Sequence, residues 1–331
     1  MKIAIVGGGA IGSLVAANLV KSGQDVLLVG RPDHVEVIRR NGLLVRSAEG
    51  EQVVEINVAT KLDQKHDLVI FAVKTQDLEE AYQDNCQYLE DCLVMTIQNG
   101  VQADNMLRTH FTSENMISSI VMFGATYVNP GEVIFNFPGD WVVGKPYSAN
   151  DQKLKDVVEI LNKAFSVTVV DNIMGMKWLK LFVNFNNCIP ALIGKSMQET
   201  FADLDFCKLS VMLLKEGVGF VQKAEVSLVS LPNFPAERIL GLASMPTEKG
   251  AGIIHDTLTR LSEEPLYGSI LQSIKRGKPS EIDFINGEVT YIAQSMRESA
   301  PLNRRVVDLV HQVEQEGKFF SIDKIKKEFN L

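Results

Sequence analysis

The stretch Gly7-Gly8-Gly9-Ala10-Ile11-Gly12 constrains this chain more than any other. It follows the apolar, β-branched run Ile3-Ala4-Ile5-Val6 without a spacer and leads into Ser13–Lys21, where apolar residues recur at helical spacing. Strand, glycine turn and helix in that order form the unit that holds a dinucleotide. Gly7 suits the tight turn, Gly9 the close approach of pyrophosphate, and Gly12 the packing of helix on strand. Exposed amides and the positive end of the helix dipole favour the phosphates. Glycine turns also occur as plain chain reversals, but the flanking elements favour Gly7, Gly8, Gly9, Ala10, Ile11 and Gly12 as a phosphate cradle.

The next strand narrows the cofactor. Domains that take NAD end this strand with an acid for the ribose 2′-hydroxyl, roughly 20 residues past the glycines. Here the strand ends Val29-Gly30-Arg31. A guanidinium suits a 2′-phosphate through charge and paired hydrogen bonds, so NADPH is the expected cofactor over NADH. A solvated loop arginine is the competing reading. Asp33, beyond Pro32, reads as a turn or helix-entry residue. Lys74 and Asn99-Gly100 follow two further strand runs, and ligands of doubly wound sheets bind beyond strand carboxyl ends. Position alone leaves both evenly balanced between cofactor contact and ordinary loop.

Strand runs Lys2–Val6, Asp25–Val29, Leu68–Val73, Leu93–Ile97 and Ile117–Val121 alternate with helical patterns. That alternation predicts a doubly wound, parallel α/β sheet of Rossmann type. A β-rich stretch from Gly131 to Gly144 follows, with Pro138-Gly139-Asp140 between two short runs, and Val167–Val170 is the last strand candidate. From about Ile173 apolar-periodic segments dominate, which predicts an all-helical second domain. The expected division is a dinucleotide-binding domain over residues 1–171 and a helical substrate domain over 172–331.

Composition removes several classes of function. A net charge of −8 argues against a general nucleic-acid binder. No uninterrupted apolar stretch approaches the roughly 18 residues of a membrane span, and the N-terminal apolar run ends in glycines without a small-residue cleavage site. Cys86, Cys92, Cys188 and Cys207 lack metal-ligand spacing and are expected as reduced thiols in a cytoplasmic protein. His34, His66, His110, His255 and His311 show no paired spacing, so no metal is expected and all five are read as structural or surface residues.

Gly175–Asn184 opens the second domain, and Lys180, Asn184 and Cys188 fall at i, i+4 and i+8. That spacing predicts one face of a helix, with an amide one turn from an ammonium. Lysine is usually exposed and such spacing occurs by chance, so taken alone the pair is better read as an ordinary surface pairing. Pro279-Ser280-Glu281-Ile282-Asp283 has the form of a helix start, with Ser280 as cap, where an acid is stabilising without further function.

Taken together, the sequence resembles the ketopantoate reductase family nearly end to end. The matching pieces are Gly7–Gly12, Arg31, Val73-Lys74-Thr75-Gln76, Gln98-Asn99-Gly100, Trp178-Leu179-Lys180-Leu181 and Asn184. Ser269, then Glu281-Ile282-Asp283-Phe284-Ile285-Asn286-Gly287, and Pro301-Leu302-Asn303 complete them. That family reduces 2-dehydropantoate to pantoate with NADPH, on the route to pantothenate and coenzyme A. The resemblance implies a second domain like the C-terminal domain of 6-phosphogluconate dehydrogenase, and Lys180 as catalytic acid. It also implies that Asn99, Asn184 and Ser269 contact substrate, Glu281 binds its hydroxyl end, and Lys74 lies against cofactor and substrate. Two positions depart from the pattern: Cys188, where the family usually has a second substrate-contacting asparagine, and Asn136, where many members have histidine.

The chemistry agrees with the residues. Hydride transfer to a ketone builds negative charge on oxygen, which an ammonium stabilises and then protonates. Desolvation lowers a lysine pKa and improves it as an acid. The expected activity is therefore reduction of a small-molecule 2-ketoacid, without nucleic-acid or membrane partners. The oligomeric state stays open, a homodimer among the options. A β-hydroxyacid dehydrogenase of the 6-phosphogluconate dehydrogenase type shares the Lys-Asn spacing and is the nearest alternative; Lys74 and Glu281–Gly287 weigh against it. A non-catalytic NADP(H)-binding regulator is the third reading, kept open by Cys188.

Overall fold

Alternate residues of the first strand, β1 (Lys2–Val6), go to opposite sides of a sheet: Ile3 and Ile5 join one apolar cluster, Ala4 and Val6 another. A period of two with both faces apolar is what a strand covered by helices on both sides requires. In the computed structural model, which describes residues 1–331, the chain divides into two units, Met1–Met174 and Gly175–Leu331.

The first unit continues with β2 (Asp25–Val29), β3 (Leu43–Ser47), β4 (Gly50–Val54), β5 (Asn57–Ala59), β6 (Leu68–Phe71), β7 (Leu93–Thr96), β8 (Met116–Val121), β9 (Gly124–Asn129), β10 (Glu132–Phe137), β11 (Trp141–Gly144) and β12 (Val167–Val169). Its helices are α1 (Ala10–Lys21), α2 (Pro32–Asn41), α3 (Leu78–Gln83), α4 (Gln102–Leu107) and α5 (Gln152–Leu161). Eight strands form one sheet in the order β12-β11-β8-β7-β6-β1-β2-β5. All its neighbours are parallel except β8 and β11. The alternation seen in β1 recurs in β6, where Leu68 and Ile70 face one cluster and Val69 and Phe71 the other. The chain leaves β1 for β2 on one side and returns to β6 on the other. Strand order therefore reverses at the carboxyl end of β1, where open α/β sheets take their ligands.

The expected doubly wound sheet is present, with additions. A second sheet of four strands, β4-β3-β10-β9, packs over α1. The two runs flanking Pro138-Gly139-Asp140 lie in different sheets, since β10 pairs with β3 and β9 whereas β11 pairs with β8 and β12. Strands β3 and β10 are joined by an ion pair between Arg46 and Glu132.

The second unit is helical apart from one bridge between Leu231 and Phe234. Its helices are α6 (Ile173–Asn184, within which the chain passes from the first unit), α7 (Cys188–Ile193), α8 (Met197–Phe201), α9 (Leu204–Lys223), α10 (Ala236–Ser244), α11 (Thr247–Leu258), α12 (Ser269–Lys275), α13 (Asn286–Ser295), α14 (Pro301–Glu316) and α15 (Ile322–Glu328). The organiser is α9, which packs against α8, α10, α11, α13 and α14. Gly217 decides how close its neighbours come: a Cβ there would lie 2.8 Å from Phe182 Cε1 and 3.0 Å from Phe185 Cε2. Those two rings seat the end of α6 and the following turn on α9. No helix is long and apolar enough to cross a membrane. All four cysteines are free, with Cys86 exposed and the others buried.

Candidate active site

In the first unit the glycine turn is shaped by what a side chain would strike. Gly7 has φ +125°, and a Cβ on it would stand 2.4 Å from Val73 N. A Cβ on Gly12 would stand 2.0 Å from the Gly7 carbonyl oxygen. At Gly9 the same atom would meet nothing within 4 Å, so the turn has open space on that side. Helix α1 starts after Gly9 with no side-chain cap and no acid in its first turn. Its first amides are thus left to an external acceptor. These features fit a dinucleotide pyrophosphate.

The contact of Gly7 with Ala72 and Val73 brings the loop that begins at Lys74 to the same strand end. Gln98 then fastens the next loop: its amide donates to the carbonyls of Phe71 at 2.8 Å and Val73 at 2.9 Å. Asn99 follows at once, with Gly100 at φ +76° turning the chain. Lys74 and Asn99 therefore stand on neighbouring loops at the switch point. Arg31 is exposed at the end of β2 and forms the N-cap position of α2, with Asp33 in that helix's first turn.

No local residue pattern marks the part played by His34. This buried ring lies under the glycine turn, where a Cβ on Gly8 would be 2.9 Å from its Cδ2. Nδ1 accepts the Gly131 backbone N–H at 2.9 Å, and Nε2 lies 3.1 Å from Ser13 Oγ. An acceptor Nδ1 leaves the proton on Nε2, so the ring is neutral. Burial agrees by pushing its pKa down, against the opposing charge of Asp33. His34 thereby ties α1 and α2 to the β9–β10 turn.

In the second unit, Lys180 sits on α6 among the buried residues Trp178, Leu179, Leu181 and Phe182. Burial lowers its pKa to about 8; the charge of Lys177 lowers it further, while Glu281 acts in the opposite direction. Lys180 and Glu281, 101 positions apart in the numbering, are thus electrostatic neighbours. Lys177, three residues before Lys180, is 2% exposed. Lysine is seldom buried, so nothing in the residue pattern marks this position. Ser269 opens α12 and is exposed. Immediately before it, a Cβ on Gly268 would stand 2.4 Å from Asn187 Oδ1, so α12 begins against the turn that follows Asn184.

Two expectations need correction. Lys180, Asn184 and Cys188 do not share one continuous helix: α6 ends at Asn184, a 3-10 turn covers Phe185–Asn187, and α7 begins at Cys188. Pro190 is the physical reason, since it has no N–H for the carbonyl of Asn186 and its ring crowds that carbonyl. Cys188 is a core residue whose thiol donates to the Phe185 carbonyl at 3.0 Å. Burial pushes that thiol up to about 12. The second correction concerns Ser280–Asp283, which does not start a helix in the expected way. It forms only a 3-10 turn, Ile282–Phe284, before α13, and Glu281 at its N-cap position makes no capping bond. Ser280 Oγ accepts the N–H of Ile282 at 3.3 Å, and the Asp283 carboxylate is engaged by His311 at 2.9 Å. Asn136, the other departure, is exposed on β10 and bonded to Thr126 across the strand pair.

Comparison with known proteins bears on both units. The family pattern described as ketopantoate reductase PanE/ApbA matches residues 3–147, and its C-terminal counterpart matches residues 172–314. A 2-dehydropantoate 2-reductase from Pyrococcus horikoshii is 31% identical over 96% of this chain and 99% of its own. Among solved structures, a PanE/ApbA family ketopantoate reductase from Ralstonia eutropha superposes with a TM-score of 0.80 at 24% identity, covering 96% of this chain and 99% of the other. A D-mandelate dehydrogenase in ternary complex with NADH and anilino(oxo)acetate gives 0.81 at 23% identity, with the same coverage. At those identities the two structures speak for the fold.

Proposed function

Because the chain belongs to the ketopantoate reductase family, we propose that it uses NADPH to reduce 2-dehydropantoate to pantoate, on the route to pantothenate and coenzyme A. The observation that carries this reading is Lys180, a lysine whose pKa is lowered to about 8 with the Glu281 carboxylate acting on it. A lysine held that way serves as an acid near neutrality, which plain cofactor binding does not require.

When bound, the nicotinamide supplies the hydride. The protein's own tasks are to hold, orient and protonate. Amides at the start of α1 would hold the pyrophosphate, with Gly9 leaving room for it and His34 supporting the turn from below. Arg31 would take the 2′-phosphate. Lys74 and Asn99 would line the reacting end from their neighbouring loops. Lys180 would stabilise the alkoxide as charge gathers on the carbonyl oxygen, and then give it a proton. The Asn184 amide would orient that oxygen one turn along α6, and Ser269 and Glu281 would hold the hydroxyl end of the substrate. The unpaired thiols fit a cytoplasmic setting.

A second reading, reduction of a different 2-ketoacid, rests on Cys188, whose buried thiol replaces a substrate-contacting amide of the family. One assay separates the two. NADPH oxidation is followed with a panel of 2-ketoacids that includes 2-dehydropantoate, and 2-dehydropantoate should give the highest kcat/KM. Preference for another ketoacid by more than about tenfold (about 1.4 kcal/mol) would favour the second reading. Turnover of none would end both.

A further inference from the structure

The second unit holds a histidine that the proposed chemistry does not use. His311 lies on α14, and its Nε2 is 2.9 Å from Asp283 Oδ1, in the 3-10 turn just after Glu281. Its Nδ1 is 2.9 Å from Glu314 Oε2, one turn along the same helix. The other oxygen of Glu314, Oε1, accepts the backbone N–H of Ser280 at 2.8 Å. Glu281 is therefore fastened on both sides, at Ser280 through Glu314 and at Asp283 through the ring. Its own carbonyl accepts the N–H of Phe284 at 3.0 Å, which closes the turn.

The two ring contacts fix the protonation state by geometry. An ionised carboxylate only accepts, and a neutral imidazole carries a single N–H. Both contacts are hydrogen bonds only when the ring carries both protons. A neutral ring would turn a lone pair toward one of the carboxylates, and that side of the clamp would open. No other charged group bonds to the ring. From α7 the only ionisable side chain is Cys188, bonded to Phe185. From α9, Glu216 is engaged by Leu302 and Asn303, at the opposite end of α14. From α13, Glu288 and Tyr291 make no hydrogen bond to His311.

We propose that His311, as an imidazolium, is a positioning residue for Glu281, clamping the Ser280–Asp283 turn so that the carboxylate of Glu281 is held ready for the hydroxyl end of the substrate. The inference rests on the substrate role proposed for Glu281 above; His311 itself touches no substrate. Burial pushes the ring pKa down, but the bonds and charges of Asp283 and Glu314 outweigh it and the net direction is up. The clamp is thus complete below the ordinary histidine value of about 6.5 and opens as pH rises through the raised value.

The test joins an NMR titration of the His311 ring to steady-state kinetics over about pH 6 to 9. The His311 resonance should titrate above about 6.5, and KM for 2-dehydropantoate should rise about tenfold through that same pH, with no step in NADPH affinity. His311→Gln should give the raised KM at every pH, with kcat and NADPH affinity little changed. His311→Arg keeps a charged, two-donor side chain that does not titrate, and should restore a low KM without the pH step. Asp283→Asn should bring the His311 resonance down. A wild-type KM and pH profile in His311→Gln would overturn the clamp, as would a ring titrating at or below 6.5. If the unmodified protein reduced no 2-ketoacid, the functional reading would fail by itself. The clamp would then be judged by the titration and by hydrogen exchange at the Ile282 and Phe284 amides, expected to quicken in His311→Gln; unchanged exchange would overturn it.

Discussion

Lys177 lies three residues before Lys180 on α6, and its charge adds to the burial that holds Lys180 at about 8. The consequence is a pH profile with a defined sign. Reduction needs the protonated amine, so kcat should be level below about 8 and fall above it. Oxidation of the hydroxyacid needs the free base and should rise through the same value. Lys177→Met removes a like charge, so the alkaline limb should move to higher pH. An unmoved limb, read from kcat in both directions, would show that Lys177 does not act on Lys180.

Cofactor choice is tested at Arg31. If its guanidinium holds the 2′-phosphate, Arg31→Ala loses a charged hydrogen-bonding partner worth about 1.5–3 kcal/mol. NADPH affinity should therefore fall by about 10- to 100-fold, with NADH affinity little altered. The D-mandelate dehydrogenase that shares this fold was solved with NADH, so the outcome does not follow from the fold. Equal binding of both cofactors to the unmodified protein would contradict the assignment.

The glycine turn separates folding from binding. Gly12→Ala drives a Cβ to 2.0 Å from the Gly7 carbonyl and should lower Tm by several degrees. At Gly9 the added methyl meets no protein atom, and the backbone, at φ −83° and ψ −164°, is one alanine adopts. Gly9→Ala should thus leave Tm within a degree or two and still weaken NADPH at least tenfold, because the methyl occupies the space of the pyrophosphate. Thermal melts with and without NADPH read both effects at once.

Thiol reactivity gives an independent check on the cores. Burial pushes Cys92, Cys188 and Cys207 each up to about 12, so none supplies thiolate at neutral pH. Cys86 is exposed. A thiol reagent should label one cysteine per native chain, at Cys86, and all four after denaturation.

How much of this was legible in the residues depended on whether the deciding interactions were local. The β1–α1 unit and the Leu68 and Leu93 strands announce themselves because both faces of the sheet are covered, and burial writes short apolar runs into the sequence. Strands β3 and β4 do not, since Glu51, Gln52 and Val53 face solvent and β3, besides its hairpin partner β4, pairs with β10, far along the chain. The Asn184–Cys188 break had a signal in Pro190, which has no N–H to offer the carbonyl four residues before it. Lys177, His34 and His311 had none. Their surroundings come from segments far apart in sequence, such as Gly131 for His34 and Asp283 for His311.

The central claim is that Lys180 carries the chemistry and not the binding, and one comparison addresses it directly: kcat for 2-dehydropantoate and the NADPH dissociation constant, measured on Lys180→Ala beside the unmodified protein. An ammonium that stabilises the alkoxide acts more strongly in the transition state than in the ground state. Its loss should lower kcat by about 100-fold or more while leaving NADPH affinity within about twofold, since the proposed phosphate contacts lie in Gly7–Gly12 and at Arg31. Near-normal turnover in Lys180→Ala, with cofactor still bound, would contradict the account and assign the proton to another group.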